Sequence, residues 1–117
     1  MSGVTRIDAG ARMSEAVIYG GKIYLSGMVA DTAAGQSVAA QTADILAQID
    51  ELLAQASSDK TKLLKANIWL TDISTIGEMN RVWDAWVVAG ATPVRATVEA
   101  KLADPAWAVE IMVEAAL

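Results

Sequence analysis

The chain has 117 residues, the length of one ordinary domain, and its net charge of −5 comes without any cluster of Lys and Arg of the kind that neutralises nucleic-acid phosphates. It has no cysteine and no histidine, which excludes disulfides, thiol nucleophiles, cysteine metal sites and imidazole bases. Hydrophobic residues make up 54% of the chain, so we expect further copies of the chain to cover part of its apolar surface.

The N-terminal segment Met1–Arg6 has no apolar stretch of the signal-peptide type. No part of the chain approaches the roughly 20 consecutive apolar residues of a membrane span. We therefore expect a soluble, cytoplasmic protein with neither a membrane partner nor a nucleic-acid partner, folded as a single domain over residues 1–117.

The first third of the chain reads as β-structure. Val4–Ile7 is a possible short edge strand, and Ala16–Tyr19 and Lys22–Ser26 are rich in β-branched and aromatic residues. Gly20 and Gly21 between these two strands supply the positive φ angles of a two-residue hairpin turn.

The polar, glycine-containing segment 31–36 predicts a loop, and Ser37 after it is a plausible N-cap for a helix that runs to about Ala56. The helix carries an apolar stripe at Ile45, Ile49, Leu52, Leu53 and Ala56. The polar residues Gln41, Asp44, Gln48, Asp50 and Gln55 are expected mostly on its other side.

Leu63–Leu70 follows as a strand, and Thr75 and Glu78 form the pattern of a capping box for a second helix that ends near Val88. The stripe of this helix is Ile76, Met79, Val82, Trp83, Trp86 and Val87. Its tryptophans are most simply core or interface residues.

Two alternating strands close the chain, at Val94–Lys101 and Trp107–Ala115, with a turn at Asp104-Pro105. The resulting order β-β-α-β-α-β-β indicates an α+β fold in which two helices cover one face of the sheet. Positions such as Tyr24, Trp69 and Met112 would face away from the helices, which is a second reason to expect an oligomer.

Arg95 and Glu110 lie on the polar faces of these last two strands. If a four-residue loop joins the strands as a hairpin, the two residues are direct cross-strand partners with Cβ atoms about 5 Å apart. The arginine could then bind a carboxylate through two parallel hydrogen bonds, and the glutamate could deprotonate a water. A solvated salt bridge between them is the alternative, and Glu99 could equally be the partner of Arg95.

Three further residues are candidates. Gly27 after Ser26 would let a ligand approach the backbone closely, or would simply end a strand. Asn80 lies beside the apolar stripe of the second helix and could be a surface or packing residue. The sequence has no glycine-rich phosphate loop, no nucleophile elbow and no metal-ligand spacing, so no cofactor or metal is expected.

Five segments resemble the RidA (YjgF-type) family of reactive intermediate deaminases in order and spacing. They are Arg12-Met13-Ser14-Glu15-Ala16-Val17, Tyr24-Leu25-Ser26-Gly27, Asn80-Arg81-Val82-Trp83, Pro93-Val94-Arg95-Ala96-Thr97-Val98-Glu99 and Val109-Glu110-Ile111. The resemblance implies a chorismate-mutase-like fold, a homotrimer with clefts between subunits, and cofactor-free hydrolysis of 2-aminoacrylate and related enamines or imines to 2-keto acids and ammonia.

The resemblance also implies roles for individual residues. Arg95 matches the arginine that binds the substrate carboxylate, and Glu110 matches the glutamate that orients water. Gly27 and Thr97 match positions whose backbone lines the cleft, whereas Ser26 and Asn80 match positions that shape it. Met13 matches a substrate-binding position near the cleft where well-known members carry Tyr, and those members carry Gln at the position of Met28 and often Cys at that of Thr97. The Arg12-Met13-Ser14 opening indicates a divergent subgroup. These changes leave the carboxylate-binding residues intact but do not indicate the substrate side chain.

Other activities remain open at this point. A non-catalytic member of the family could bind a small carboxylate metabolite and act through a partner. Some relatives have been described as endoribonucleases or translation inhibitors, which the absence of histidine and of a basic patch does not favour. Chorismate mutase activity would rest on the likeness of the fold alone.

Overall fold

Residues 3–117 are described by the structure, a computed structural model, and form a seven-stranded mixed sheet with two helices packed on one face. Residues 1 and 2 of the predicted domain, and with them the start of the Met1–Arg6 segment, lie outside the described residues. The strands are β1 (Thr5–Ile7), β2 (Ala16–Tyr19), β3 (Lys22–Leu25), β4 (Met28–Val29), β5 (Leu63–Leu70), β6 (Val94–Glu99) and β7 (Val109–Ala116). The helices are α1 (Val38–Gln55) and α2 (Ile76–Trp86). The predicted α+β class with two helices and a mixed sheet is confirmed.

The strands follow the order β1-β2-β3-β7-β5-β6 across the sheet, and β4 pairs with β7 next to β3. The predicted hairpin between the last two strands is therefore wrong, because β5 lies between β6 and β7. β6 follows β5 through α2 and pairs with it in parallel, as expected for a strand–helix–strand unit. β7 then pairs antiparallel with the other side of β5.

The first hairpin is confirmed. Gly20 and Gly21 have φ angles of 62° and 77°, and Tyr19 pairs with Lys22 at the turn. β1 adds to the outer edge of β2, so the predicted short edge strand is present as well. The two-residue strand β4 was not predicted, since Met28–Val29 is too short to show a pattern.

Helix α1 begins as its sequence predicts, with the Ser37 Oγ accepting a hydrogen bond from the Ala40 N–H at 3.1 Å. The expectation that Gln41 lies on the polar side is wrong, because Gln41 is only 1% exposed. Its Nε2 donates to the carbonyl of Ala106 at 3.0 Å, and its Oε1 accepts from the N–H of Ala108 at 2.9 Å. Gln41 therefore anchors the segment that leads into β7.

The predicted capping box of α2 is wrong. The Thr75 side chain makes no capping hydrogen bond and instead donates to the carbonyl of Asp72, within a short 3₁₀ turn that precedes the helix. Glu78 accepts a hydrogen bond from the Ala39 N–H at 2.8 Å. Its negative charge there stabilises the N-terminal end of α1, where the helix dipole is positive. The helix ends at Trp86, two residues earlier than expected.

The core lies between the helices and one face of the sheet. Strand alternation divides the four neighbouring strands β3, β7, β5 and β6 into a buried, helix-covered side and a second side, which we call the helix-free face. The members of the helix-free face include Val94, Val98, Trp69, Met112 and Tyr24. Of these, Val94 is 69% exposed, Val98 50% and Met112 41%. The alternation predicted for β6 is confirmed, but its apolar residues face away from the core.

Candidate functional site

Arg95 lies on the helix-covered side of the edge strand β6, in register with the buried Ala66 of β5. The side chain extends toward α2, where its Nη1 donates to the Asn80 Oδ1 at 2.8 Å. Its Cζ atom lies over the indole of Trp83, 5.5 Å from the ring centroid. Two residues of one helix thus hold an exposed guanidinium in a defined orientation.

No carboxylate of residues 3–117 forms an ion pair with Arg95. Both carboxylates proposed as its partner from the sequence are engaged differently: Glu99 accepts a hydrogen bond from the Ile73 N–H at 3.1 Å, and Glu110 lies on the other face of the sheet. The alternative that Arg95 forms a solvated salt bridge with a glutamate of its own chain is therefore wrong. The remaining donors of the guanidinium are available to an anionic ligand.

Thr97 is two residues from Arg95 on the same side of β6, in register with Ile68. Its Oγ1 is buried and has no hydrogen-bond partner among residues 3–117. Buried hydroxyls usually have a partner, so Thr97 is an exception on the same side of the strand as Arg95. We call Arg95, Asn80, Thr97 and Trp83 the arginine cluster.

Gly27 and Glu110 are in close contact. Three residues separate Tyr24 from Met28, whereas two separate their partners Glu114 and Ile111 on β7, so the chain at Ser26–Gly27 contains one extra residue, as in a β-bulge. A Cβ at position 27 would overlap with the Glu110 Oε2 and lie 3.0 Å from its Cδ. Glycine is therefore required for this position of the carboxylate. The Ser26 Oγ in the bulge donates to the Met28 Sδ at 3.6 Å.

Burial raises the pKa of Glu110 above the ordinary value for a glutamate. The side chain is half-buried, and its carboxylate has no hydrogen-bond donor among residues 3–117. A carboxylate that is partly desolvated and not paired with a cation is a stronger base than one in water. Glu110 can therefore accept a proton from a bound water. We call Glu110, Gly27 and Ser26 the glutamate cluster.

The two clusters lie on opposite sides of the sheet. Arg95 shares a side with Ala66 and α2, whereas Glu110 is in register with Trp69 on the helix-free face. The predicted direct pairing of Arg95 with Glu110 is therefore wrong. The physical reason is that β5 separates their strands and that residues 66 and 69 of β5 point in opposite directions.

Met13 belongs to neither cluster. It is 53% exposed in the segment between β1 and β2, where its carbonyl accepts a hydrogen bond from the Gly10 N–H at 2.8 Å. Trp83, by contrast, contacts Arg95 but was assigned from the sequence only to a core or interface. Its position three residues after Asn80 places both side chains on one face of α2, and this spacing was the signal available.

The described part of the chain contains neither a cluster of metal ligands nor a membrane-spanning helix. Among residues 3–117 no group of three or more His, Cys, Asp or Glu side chains is arranged to hold a metal ion. No helix within the same residues is long and apolar enough to cross a membrane.

Known proteins match this chain over nearly its whole length. The family model described as Endoribonuclease L-PSP matches residues 3–117. The chain is 45% identical to the RutC family protein YoaB of Escherichia coli over 114 residues, which cover 97% of this chain and 98% of YoaB. It is 42% identical to a RutC family protein of Haemophilus ducreyi, again over 114 residues and 97% of each chain.

Solved structures of related proteins also superpose on nearly the whole chain. A member of the YjgF protein family from Neisseria meningitidis superposes with a TM-score of 0.94 at 50% identity, over 98% of this chain and 95% of that one. The conserved Rid family protein YyfA from Yersinia pestis, whose function is given as unknown, superposes with a TM-score of 0.86 at 29% identity, over 93% and 90% of the two chains.

Proposed function

Because the chain belongs to the YjgF/RutC family, which the Endoribonuclease L-PSP model describes, we propose that it is a cofactor-independent deaminase of small enamines and imines derived from amino acids. Its products would be a 2-keto acid and ammonia. The reaction needs a group that binds the substrate carboxylate and a base that activates water, and Arg95 and Glu110 are our candidates for these roles.

The orientation of Arg95 is the observation that carries the proposal. An exposed arginine usually has many rotamers, but this one donates to Asn80 and lies over Trp83 while no carboxylate of residues 3–117 neutralises it. A planar guanidinium held in this way suits a carboxylate, which it can bind through two parallel hydrogen bonds.

The chemistry assigned to Glu110 follows from its raised pKa. With the substrate carboxylate bound, the enamine tautomerises to the imine, and Glu110 takes a proton from water as the oxygen attacks the imine carbon. The imine nitrogen takes up a proton from the solvent in the same step, which gives the neutral carbinolamine. Protonated Glu110 then returns its proton to this nitrogen, the hydroxyl proton passes to the solvent as the carbonyl forms, and the C–N bond breaks to release ammonia. Such imines already hydrolyse in water, so orientation of the substrate and the water supplies much of what the site must add.

A complete site of this kind requires two copies of the chain. Within one chain the arginine and glutamate clusters lie on opposite sides of the sheet, but β6 is an edge strand whose apolar Val94 and Val98 are exposed on the helix-free face. Packing of this face against another copy would bury these residues and bring the arginine cluster of one chain near the glutamate cluster of the next. We propose the homotrimer of the family, with three such clefts.

The test is ammonia release from freshly generated 2-aminoacrylate and from larger imino acids, compared between wild type and Arg95→Ala. Acceleration by wild type and its loss in Arg95→Ala are expected. Binding of keto acids by wild type without any acceleration of imine hydrolysis would contradict deamination and favour a non-catalytic, regulatory member that binds small carboxylates.

The name of the family model, Endoribonuclease L-PSP, raises a second activity, cleavage of RNA. The chain has a net charge of −5 and no histidine, so it lacks both a basic surface and the commonest general base. We expect RNA affinity at physiological salt of roughly 10⁻⁴ M or weaker, as for non-specific binding. A tight complex with a steep dependence on salt in a binding titration would contradict this expectation.

A further inference from the structure

The indole of Trp83 lies beneath the Arg95 guanidinium, with 5.5 Å between the Cζ atom and the ring centroid. We propose that Trp83 is a positioning residue: it fixes the plane and direction of this guanidinium so that the carboxylate of a small keto or imino acid meets donors that are already oriented. This inference rests on the proposed role of Arg95 in binding the substrate carboxylate.

Trp83 is itself firmly held. It is 5% exposed, within the core cluster that also contains Met79 and Leu70. Its ring packs against that of Trp86 at 5.4 Å between centroids, with the planes tilted by 50°. The indole N–H of Trp86 donates to the Asp50 Oδ2 of α1 at 3.0 Å. The ring beneath Arg95 is therefore part of the rigid contact between the two helices.

Trp83 and Asn80 restrain different degrees of freedom of the guanidinium. The ring face attracts the cation and limits its distance from the helix, and the Asn80 Oδ1 fixes the direction of one Nη1 hydrogen. The hydrogen bond to Asn80 uses only Nη1, and among residues 3–117 neither Nε nor Nη2 has a hydrogen-bond acceptor. An arginine ordered before binding loses less side-chain entropy when the ligand arrives. Trp83 should thus strengthen carboxylate binding without touching the ligand.

Arginine side-chain NMR tests this directly, because the chain has only four arginines, Arg6, Arg12, Arg81 and Arg95. The Nε–Hε signal of Arg95 is assigned from its absence in Arg95→Lys. Arg81, which is exposed on the same helix, is an internal control for a mobile side chain. The variants are Trp83→Leu, which removes the ring, and Trp83→Phe, which keeps a smaller one; Trp107→Leu is a control for the loss of a half-buried tryptophan elsewhere.

In wild type the order parameter of the Arg95 Nε–Hε group should clearly exceed that of Arg81, and its proton should show an upfield ring-current shift. In Trp83→Leu the shift should vanish and the order parameter should fall below about 0.6, the range of flexible groups. Trp83→Phe should keep both features, and Trp107→Leu should leave them unchanged. Should Trp83→Leu fail to fold, Trp83→Met takes its place with the same expected result, because Met adapts to irregular core space.

Pyruvate affinity, measured on the same variants in folded and fully assembled form, links the order of Arg95 to binding. Trp83→Leu should weaken binding by about 5- to 30-fold, and Trp83→Phe by less than about threefold. If Arg95 keeps its order and shift in the leucine variant, or is as mobile as Arg81 in wild type, the proposal is wrong. If wild type binds no pyruvate, the proposed function fails, while the NMR result still decides whether Trp83 positions Arg95.

Discussion

Gly27 and Glu110 approach so closely that a Cβ on residue 27 would overlap with the Glu110 Oε2. The contact joins a bulge between β3 and β4 to the second residue of their neighbour β7, at a position where burial raises the pKa of the carboxyl group. The glycine thereby determines where the only group proposed as a base can lie.

Gly27→Ala should therefore reduce activity more than stability. The added methyl group meets the flexible end of a side chain, which can move aside, but a carboxylate displaced by about 1 Å can lower the rate on the order of 10²-fold. The measurement is kcat/KM for imine hydrolysis together with the melting temperature.

The matched control is Gly77→Ala in α2, where a Cβ would meet nothing within 4 Å. That variant should keep its activity and gain about 0.5–1 kcal/mol of stability from the better helix former. Equal kcat/KM in Gly27→Ala and wild type would show that catalysis does not depend on the position of Glu110.

Arg95→Lys keeps the positive charge but loses the planar pair of donors. One oriented hydrogen bond to a charged group is worth roughly 1.5–3 kcal/mol, so kcat/KM should fall by about 10- to 150-fold. Arg95→Ala should lose more. Because the side chain is exposed, the midpoint of thermal unfolding should change little in either variant. Wild-type keto-acid affinity in both variants, measured by calorimetry, would show that Arg95 does not bind the carboxylate.

Glu110→Gln keeps the shape of the side chain and removes the base, so turnover should fall by about 10²-fold while keto-acid binding survives. A pKa that burial raises in the folded state means that the charged carboxylate disfavours folding. This cost is absent below the unfolded pKa of about 4.3 and reaches its full size above the folded pKa. The stability of Glu110→Gln relative to wild type should therefore increase from pH 4 to pH 7 in denaturant titrations. A difference that does not change with pH would contradict the raised pKa.

Gln41→Leu tests the buried contact between α1 and the segment before β7. The substitution leaves the N–H of Ala108 without its partner and removes one of the two hydrogen bonds to the carbonyl of Ala106, which keeps the one from the Gly35 N–H. The loss should cost about 1–3 kcal/mol of unfolding free energy. Gln55→Leu, an exposed position on the same helix, should change stability by less than about 0.5 kcal/mol. Similar effects of the two variants in urea denaturation would rule out an anchoring role for Gln41.

Local patterns predicted the elements that depend on local physics. The double glycine at positions 20 and 21 predicted the first hairpin, and Ser37 predicted the start of α1, because turn conformation and capping involve only neighbouring residues. Gln41 shows a pattern that was present but misread: it lies four residues before Ile45, on the buried stripe itself. A glutamine at such a position is buried only where other groups satisfy its amide, and here the segment 106–108 supplies both a carbonyl acceptor and an N–H donor.

The arrangement of Arg95 and Glu110 could not be obtained from patterns of this kind. Alternation places each residue on a face of its own strand, but the strand order decides whether the two faces coincide. Consecutive strands are usually neighbours, and this tendency favoured a hairpin. In the structure β5 lies between β6 and β7, so Arg95 and Glu110 are on opposite faces of the sheet. This strand order results from the pairing of strands far apart in the chain, which local patterns do not show.

A catalytic site shared between two chains can be tested by mixing two inactive variants. Arg95→Ala and Glu110→Gln are each assembled alone and are also refolded together in equal amounts. If each cleft takes its arginine from one chain and its glutamate from the next, about a quarter of the clefts in randomly mixed trimers contain both residues. The mixture should then recover about a quarter of the wild-type rate of ammonia release from 2-aminoacrylate. A mixture no more active than the two variants measured separately would contradict the shared site.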